Sequence, residues 1–233
     1  MTKMIVSDYD NTIETSNKYI TSLNFKALKR FRENGNKLVI ATGRAFSSIK
    51  KSLTRNKCEY DALICNSGST IFDSDDKLIS TNEIDDGDLN ELMYYFKNML
   101  KSQFDSLQLY DYNGLTSKKE NIIEMVVNPN LLNNIPMILD ELRSKHPYLC
   151  FYYYNFSIFV RKNCSKSDGI DNIRNMFNID KKNIYTIGDG PNDYEMIRDY
   201  NGYNVLFSNP KLYTVSNGTV LTVAHLVKKL ENK

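Results

Sequence analysis

Two acidic runs in this chain have the composition and spacing to do chemistry, and each follows an apolar stretch. Ser7-Asp8-Tyr9-Asp10-Asn11-Thr12 follows Met4-Ile5-Val6, and Gly188-Asp189-Gly190-Pro191-Asn192-Asp193 follows Asn183 to Ile187. Two further apolar runs end on small polar groups, Thr42-Gly43-Arg44 and Asn66-Ser67-Gly68. Taken singly, each has an ordinary explanation: Asp-x-Asp caps turns and helices, Gly-Asp-Gly-Pro is a turn signal, and Thr-Gly-Arg is uninformative. Together they are harder to dismiss, because an open parallel sheet places its ligand crevice beyond the carboxyl ends of its strands. Asp8, Asp10, Asp189 and Asp193 gathered there would repel one another unless a cation neutralised them. A hard divalent ion, Mg²⁺ above all, suits such a set, since it binds through few carboxylates plus water and substrate phosphate. The two histidines, His146 and His225, fall on separate predicted helices without a H-E-x-x-H pattern, so a zinc hydrolase or a Ser-His-Asp triad has little support.

The elements that must position these groups are legible as alternating patterns. Met4 to Val6, Leu38 to Ala41 and Ala62 to Cys65 read as buried strands, and Asn24 to Glu33 and Phe46 to Leu53 as helices between them. Strand and helix in alternation predict a parallel sheet with helices on its faces. Ser69 to Ser80 reads as a hairpin turning at Asp73 to Asp76. From about residue 85 the pattern changes to helix (Leu89 to Leu100), strand (Leu107 to Asp111), strand (Ile122 to Val127), helix (Leu131 to Ser144) and two strands (Leu149 to Tyr154, Ser157 to Val160). This helix-strand-strand unit, used twice with short turns, predicts an antiparallel sheet with helices on one side, inserted into the first domain. The alternation then resumes with a helix at Asp168 to Phe177, a strand at Asn183 to Ile187, a helix at Asp193 to Asp199, a strand near Asn204 to Phe207 and a terminal helix at Val223 to Leu230.

Composition sets outer bounds. The 233 residues suit one large domain or two small ones, and 41% hydrophobic with 25% charged residues is the make-up of a compact globular chain. A formal charge of +2 supplies no global field to recruit nucleic acid or an anionic membrane, so recognition of anions must be local. The longest apolar-looking stretch, Phe151 to Val160, is far shorter than the roughly 20 residues of a membrane helix, and the N-terminus has no signal-like core; a cytoplasmic location is expected. Cys58, Cys65, Cys150 and Cys164 show no metal or redox spacing and are read as free thiols. The tyrosines at 110, 112, 148 and 152 to 154 are read as core and exposed face of the inserted unit.

In combination the motifs resemble the haloacid dehalogenase superfamily of phosphotransferases, and the insert resembles its Cof-type, class IIB cap. The resemblance implies a Rossmann-like, doubly wound parallel sheet as the core domain, residues 1–80 and 162–233, with an α+β cap domain at 81–161. It implies that Asp8 is the nucleophile and Asp10 the general acid/base of a D-x-D-x-T motif. Thr42 would hold the phosphoryl group, Lys166 would be the third-motif lysine, and Asp189 and Asp193 of the fourth motif would serve Mg²⁺ together with Asp8 and the Asp10 backbone. Gly43, Arg44, Asn66 and Asn192 are placed around the substrate. Two positions depart from the usual pattern: Asn11 stands where Gly is common, and Ser167 follows the lysine where Gly often does. Asn is the side chain that best tolerates left-handed backbone after Gly, so the turn can survive.

The expected activity is Mg²⁺-dependent hydrolysis of a small phosphorylated metabolite, a sugar phosphate among the candidates, through an aspartyl-phosphate. Transfer of that phosphoryl group to an alcohol, as in a phosphomutase, and non-catalytic binding of a phosphometabolite are the alternatives. Four mutually repelling carboxylates argue against the last.

Overall fold

The computed structural model describes residues 1–99, 104–129 and 134–232. They form two compact units, one of Met1–Ser80 with Ser165–Lys233 and the other of Thr81–Cys164. In the first unit, β1 (Met4–Ser7), α1 (Lys18–Glu33), β2 (Lys37–Ala41), α2 (Phe46–Arg55) and β3 (Ala62–Cys65) alternate as the apolar runs predict, and β4 (Thr70–Asp73) and β5 (Leu78–Thr81) form the outer edge. α1 begins six residues earlier than its apolar periodicity suggests. The Asn17 side chain accepts from the amides of Tyr19 and Ile20, and this cap holds an exposed first turn in which no apolar stripe is needed.

The second unit contains α3 (Asp86–Tyr94), β6 (Phe104–Asp111), β7 (Gly114–Thr116), β8 (Glu124–Pro129), α4 (Ile135–Lys145), β9 (Leu149–Tyr154) and β10 (Ser157–Lys162). α3 continues as a wider turn over Tyr95–Met99. The expected helix ends at Leu100 and Leu131 lie outside the described residues. The sheet runs β7-β6-β8-β10-β9, with each neighbouring pair antiparallel. Its apolar face, including Met125, Val127, Ile158 and Val160, packs with Leu89 and Leu92 of α3 and Leu139 and Leu142 of α4. His146 is buried, and its Nδ1 lies 2.8 Å from Asp88 Oδ1, latching the end of α4 to the start of α3. Tyr152 stacks on Phe159 at 4.9 Å on the opposite face, and Tyr148 is exposed, so these two tyrosines divide between packing and surface.

The chain returns to the first unit with α5 (Lys166–Met176), β11 (Ile184–Gly188), α6 (Tyr194–Asp199), β12 (Asn201–Val205), β13 (Thr219–Val220) and α7 (Val223–Glu231). The eight-stranded sheet is ordered β13-β12-β11-β1-β2-β3-β4-β5; it is parallel from β13 to β3, and β4 runs antiparallel to β3. Met4, Val6, Val39, Ala41, Ala62 and Ile64 pack with Ile170 and Ile173 of α5 and with Met196 and Ile197 of α6. Alternate residues such as Ile5, Leu38, Ile40 and Leu63 are equally buried on the other face, which makes each strand a continuous apolar run. The strand expected near Asn204–Phe207 lies instead at Asn201–Val205, and Phe207 turns outward at φ 66, 93% exposed. Among the described residues no helix is long and apolar enough to cross a membrane.

Candidate active site

Strand order brings the two acidic runs together. β1 and β11 are neighbours in parallel register, Ser7 beside Ile187, so both runs leave the same sheet edge side by side. Asp8, Asp189 and Asp193 each present a carboxylate oxygen, and these lie within 4.8 Å of one another. Lys166 is fully buried, and its Nζ donates to Asp8 Oδ1 at 2.6 Å and to Asp193 Oδ1 at 2.6 Å. One lysine against three close carboxylates leaves a negative excess. Burial, with the charges of Asp193 and Asp189, pushes the Asp8 carboxyl well above the usual carboxylate range even though Lys166 pulls it down. Asp189 is raised for the same leading reason, its partial burial. The two carboxylates hold Lys166 firmly protonated against the opposing effect of burial.

That excess is the test of whether the residues fit a cation, and they do: hard oxygen donors, partly desolvated, converge with too little positive charge among them. In metal-free protein the Asp8 proton is bound more tightly in the folded chain than in the unfolded one. Stability should therefore fall as pH rises above about 4, the value of an unfolded carboxylate. Thermal melting in EDTA is expected to occur at a lower temperature at pH 8 than at pH 5, and added Mg²⁺ should recover most of the difference at pH 8. Melting that is insensitive to pH in EDTA would contradict this.

The supporting residues explain how the acids are held. Both oxygens of Asp193 are engaged: Oδ1 by Lys166 and Oδ2 by the amides of Asp189 (2.9 Å) and Gly190 (2.8 Å). Asp193 thus folds the 188–193 loop as well as contributing charge. A Cβ at Gly188 would lie 2.4 Å from Asp193 Cγ, so only glycine lets the carboxylate reach those amides. A Gly188→Ala protein is expected to lose about 100-fold or more in turnover, through displacement of Asp193, as measured by steady-state kinetics on an aryl phosphate. Lys166 is the first residue of α5, and Ser165 caps the helix through a reciprocal box with Asp168. Gly68, at φ 112, approaches so closely that a Cβ there would sit 2.1 Å from the Ser165 carbonyl, which ties the turn after β3 to the start of α5.

The remaining expected residues fall as follows. Thr42 is buried, and its Oγ1 accepts from the Arg44 amide at 3.1 Å. A Cβ on Gly43 would be 3.4 Å from Ser67 Oγ and 3.6 Å from Asn192 Nδ2, so Thr42-Gly43, the Ser67 turn and Asn192 share one neighbourhood. The Asn66 amide donates to the Arg44 carbonyl at 2.9 Å, and its side chain accepts from Thr70 at 3.3 Å. Arg44 is engaged within its own unit. Its guanidinium closes on Asp10, with Nε donating to Oδ2 at 2.8 Å, while Nη1 donates to Ser52 and the group lies 5.2 Å over the Tyr9 ring. Asp10 accordingly stands apart from the three-acid cluster as Arg44's partner. Asn11 adopts φ 58, the left-handed backbone its type tolerates, and Ser167 is absorbed by a 2.7 Å bond from its hydroxyl to Asp199.

Thr12, the last residue of the first acidic run, joins the site through its hydroxyl, which donates to Asp189 Oδ1 at 2.9 Å. Asn24 is another: fully buried, it donates to the Thr12 and Ile13 carbonyls and accepts from the Ala224 amide, pinning the loop after β1 against α1 and α7.

A parallel sheet whose first and fourth motifs abut across β1 and β11, interrupted by an α+β insert, defines a haloacid dehalogenase-type hydrolase. A model of the haloacid dehalogenase-like hydrolases matches residues 5–155 and 101–211, and the chain belongs to that family. It is a hydrolase. A protein of Buchnera aphidicola subsp. Baizongia pistaciae, provisionally named a phosphatase, is 25% identical over 235 residues, covering 88% of this chain and 86% of that one. TM0651 of Thermotoga maritima shares the fold with a TM-score of 0.83 at 15% identity, covering 100% of this chain and 98% of that one. The subclass IIB sugar phosphatase BT4131 does so with a TM-score of 0.74 at 18% identity, covering 99% and 98%.

Proposed function

We propose that this chain is a Mg²⁺-dependent phosphomonoesterase that hydrolyses a small phosphorylated metabolite by way of an aspartyl-phosphate on Asp8. The observation that carries this reading is the placement of Asp8, with Lys166 on one oxygen and Asp189 and Asp193 close by. Asp8, Asp189 and Asp193, with the Asp10 backbone, would hold the ion, which when bound offsets charge so that a carboxylate and a phosphate can meet. Asp8 attacks phosphorus and the ester oxygen leaves. Asp10 gives that oxygen a proton and then takes one from the water that cleaves the acyl phosphate, restoring both groups. Thr42, the Gly43 amide, Lys166 and Asn192 grip the phosphoryl oxygens, where charge is spread in the transition state. Sugar phosphates are the first class to assay, because one structurally similar protein is a sugar phosphatase.

In this reading Arg44 is a positioning residue: it fixes the Asp10 carboxylate through two nitrogens. Arg44→Ala is expected to lower kcat about 10- to 100-fold with little change in KM, and Arg44→Lys to recover part of it, because general acid/base catalysis is worth about 10²- to 10⁴-fold. A KM effect of equal size would instead make Arg44 a substrate contact. The function itself is tested with a panel of phosphorylated sugars, nucleotides and cofactors, with and without Mg²⁺. Phosphate release that requires the metal supports it, and isomerised or transferred phosphoester without free phosphate overturns it.

A further inference from the structure

Away from the acidic cluster, the same unit carries a groove of about 860 Å³ between one face of α1 and the segment 55–59. Its walls hold six cations, Lys18, Lys26, Lys29, Arg32, Arg55 and Lys57, against two carboxylates, Glu14 and Glu59. Even with Asp61 and Glu33 set against Arg32 and Lys29, the groove keeps a positive balance, a local field that the near-neutral whole chain does not have. Arg32 is occupied by Asp61 and Glu59, Arg55 by Glu14, and Lys29 lies 3.8 Å from Glu33. Lys18, Lys26 and Lys57 have no ion pair among the described residues, and all three are exposed. The floor is different in kind, with the half-buried ring of Phe25 beside Leu28 and Cys58. Along α1 the cationic wall from Lys18 to Arg32 is about 21 Å long at 1.5 Å per residue. A single phosphate would fill only part of it.

We infer that this groove binds a nucleoside polyphosphate, its base on the Phe25 floor and its phosphate chain on the unpaired lysines, and that occupancy is transmitted to Asp10. The route is continuous. Arg55 holds Glu14 at 2.8 Å, Glu14 lies 3.9 Å from Arg44, and Arg44 grips Asp10. Asn56, also in the groove wall, donates to the Tyr9 hydroxyl at 3.1 Å, and Tyr9 lies under the Arg44 guanidinium. Phosphates that draw Arg55 away release Glu14 to compete with Asp10 for Arg44.

The non-hydrolysable analogue AMP-PNP, inorganic tripolyphosphate and adenosine are the probes, titrated calorimetrically into full-length protein in EDTA, where the uncompensated carboxylates disfavour anions at the acidic cluster. Saturable binding of AMP-PNP, weaker binding of tripolyphosphate and at least a tenfold loss of both in a Lys26→Glu, Lys57→Glu protein are expected, with affinity falling as salt rises. Because binding is read without turnover, the outcome is separate from the proposed phosphatase reaction. No saturable binding up to about 1 mM, a threshold corresponding to roughly 4 kcal/mol, or binding indifferent to the charge reversal, overturns the site. Equal affinity for tripolyphosphate and AMP-PNP overturns the base-binding floor and with it the ligand class. With excess Mg²⁺, saturating AMP-PNP should change kcat on an aryl phosphate at least twofold in the wild type and not in the double variant. An unchanged wild-type kcat overturns the coupling to Asp10.

Discussion

An Asp8→Asn protein is expected to fold and to release phosphate from an aryl phosphate at least about 10⁴-fold more slowly than the wild type, the scale on which loss of a covalent nucleophile is felt. The substitution keeps the shape of a side chain that is only 5% exposed. Its amide can also satisfy both neighbours, the oxygen accepting from Lys166 and the nitrogen donating toward Asp189, which lies beside it in the acidic cluster. Removing a carboxylate that burial and Asp193 already disfavour as an anion should raise the melting temperature in EDTA at pH 8. Lost turnover with an unchanged or higher melting temperature separates a chemical role from a structural one. Retained turnover would remove Asp8 as the nucleophile.

Lys166→Met is expected to damage both stability and activity, because length is kept while the one buried cation of the cluster is lost. Two carboxylates would lose 2.6 Å hydrogen bonds from the same ammonium, and Asp193 has no exposure through which water could replace it. Breaking a buried ion pair from one side costs about 3–5 kcal/mol. In a chain of this size that corresponds to a fall of roughly 6–20 °C in melting temperature at about 2–4 °C per kcal/mol. Turnover should drop about 100-fold or more, because in the proposed mechanism the same ammonium also donates to the phosphoryl group. Differential scanning fluorimetry in EDTA and in Mg²⁺ checks this: the deficit should be larger in EDTA, where no other cation compensates. A variant as stable as the wild type in EDTA would mean the three charges are not coupled as the geometry indicates.

The contrast between Lys166 and Arg44 shows what could be read in the chain beforehand. Lys166 precedes a recognisable helix and sits in a motif position, so its identity was visible; its complete burial between Asp8 and Asp193 depends on residues 158 and 27 positions away and was not. Arg44 was visible as part of Thr-Gly-Arg, yet its partner Asp10 is 34 residues distant and Ser52 carries no signal of its own. The strands β1, β2 and β3 are apolar runs buried on both faces and stand out for that reason. β12 does not, because Asn201, Gly202 and Asn204 interrupt it. Asn204 is tolerated in the interior only because its amide nitrogen donates to Ser208 and its oxygen accepts from Ser216 and Thr219. The short β7 leaves no mark in the sequence for a related reason: its turn is set by Asp111 accepting from the Asn113 and Gly114 amides, a local device with no apolar stripe behind it.

Covalent catalysis by Asp8 is tested by trapping the acyl phosphate. Wild-type protein with Mg²⁺ is mixed with a ³²P-labelled aryl phosphate, quenched in acid within a single turnover and digested, and the labelled peptide is identified by mass spectrometry. Hydroxylamine-sensitive label is expected on the peptide containing Asp8 and absent from Asp8→Asn protein. Turnover of the same substrate with no covalent label at any quench time, or label on a different residue, would contradict it.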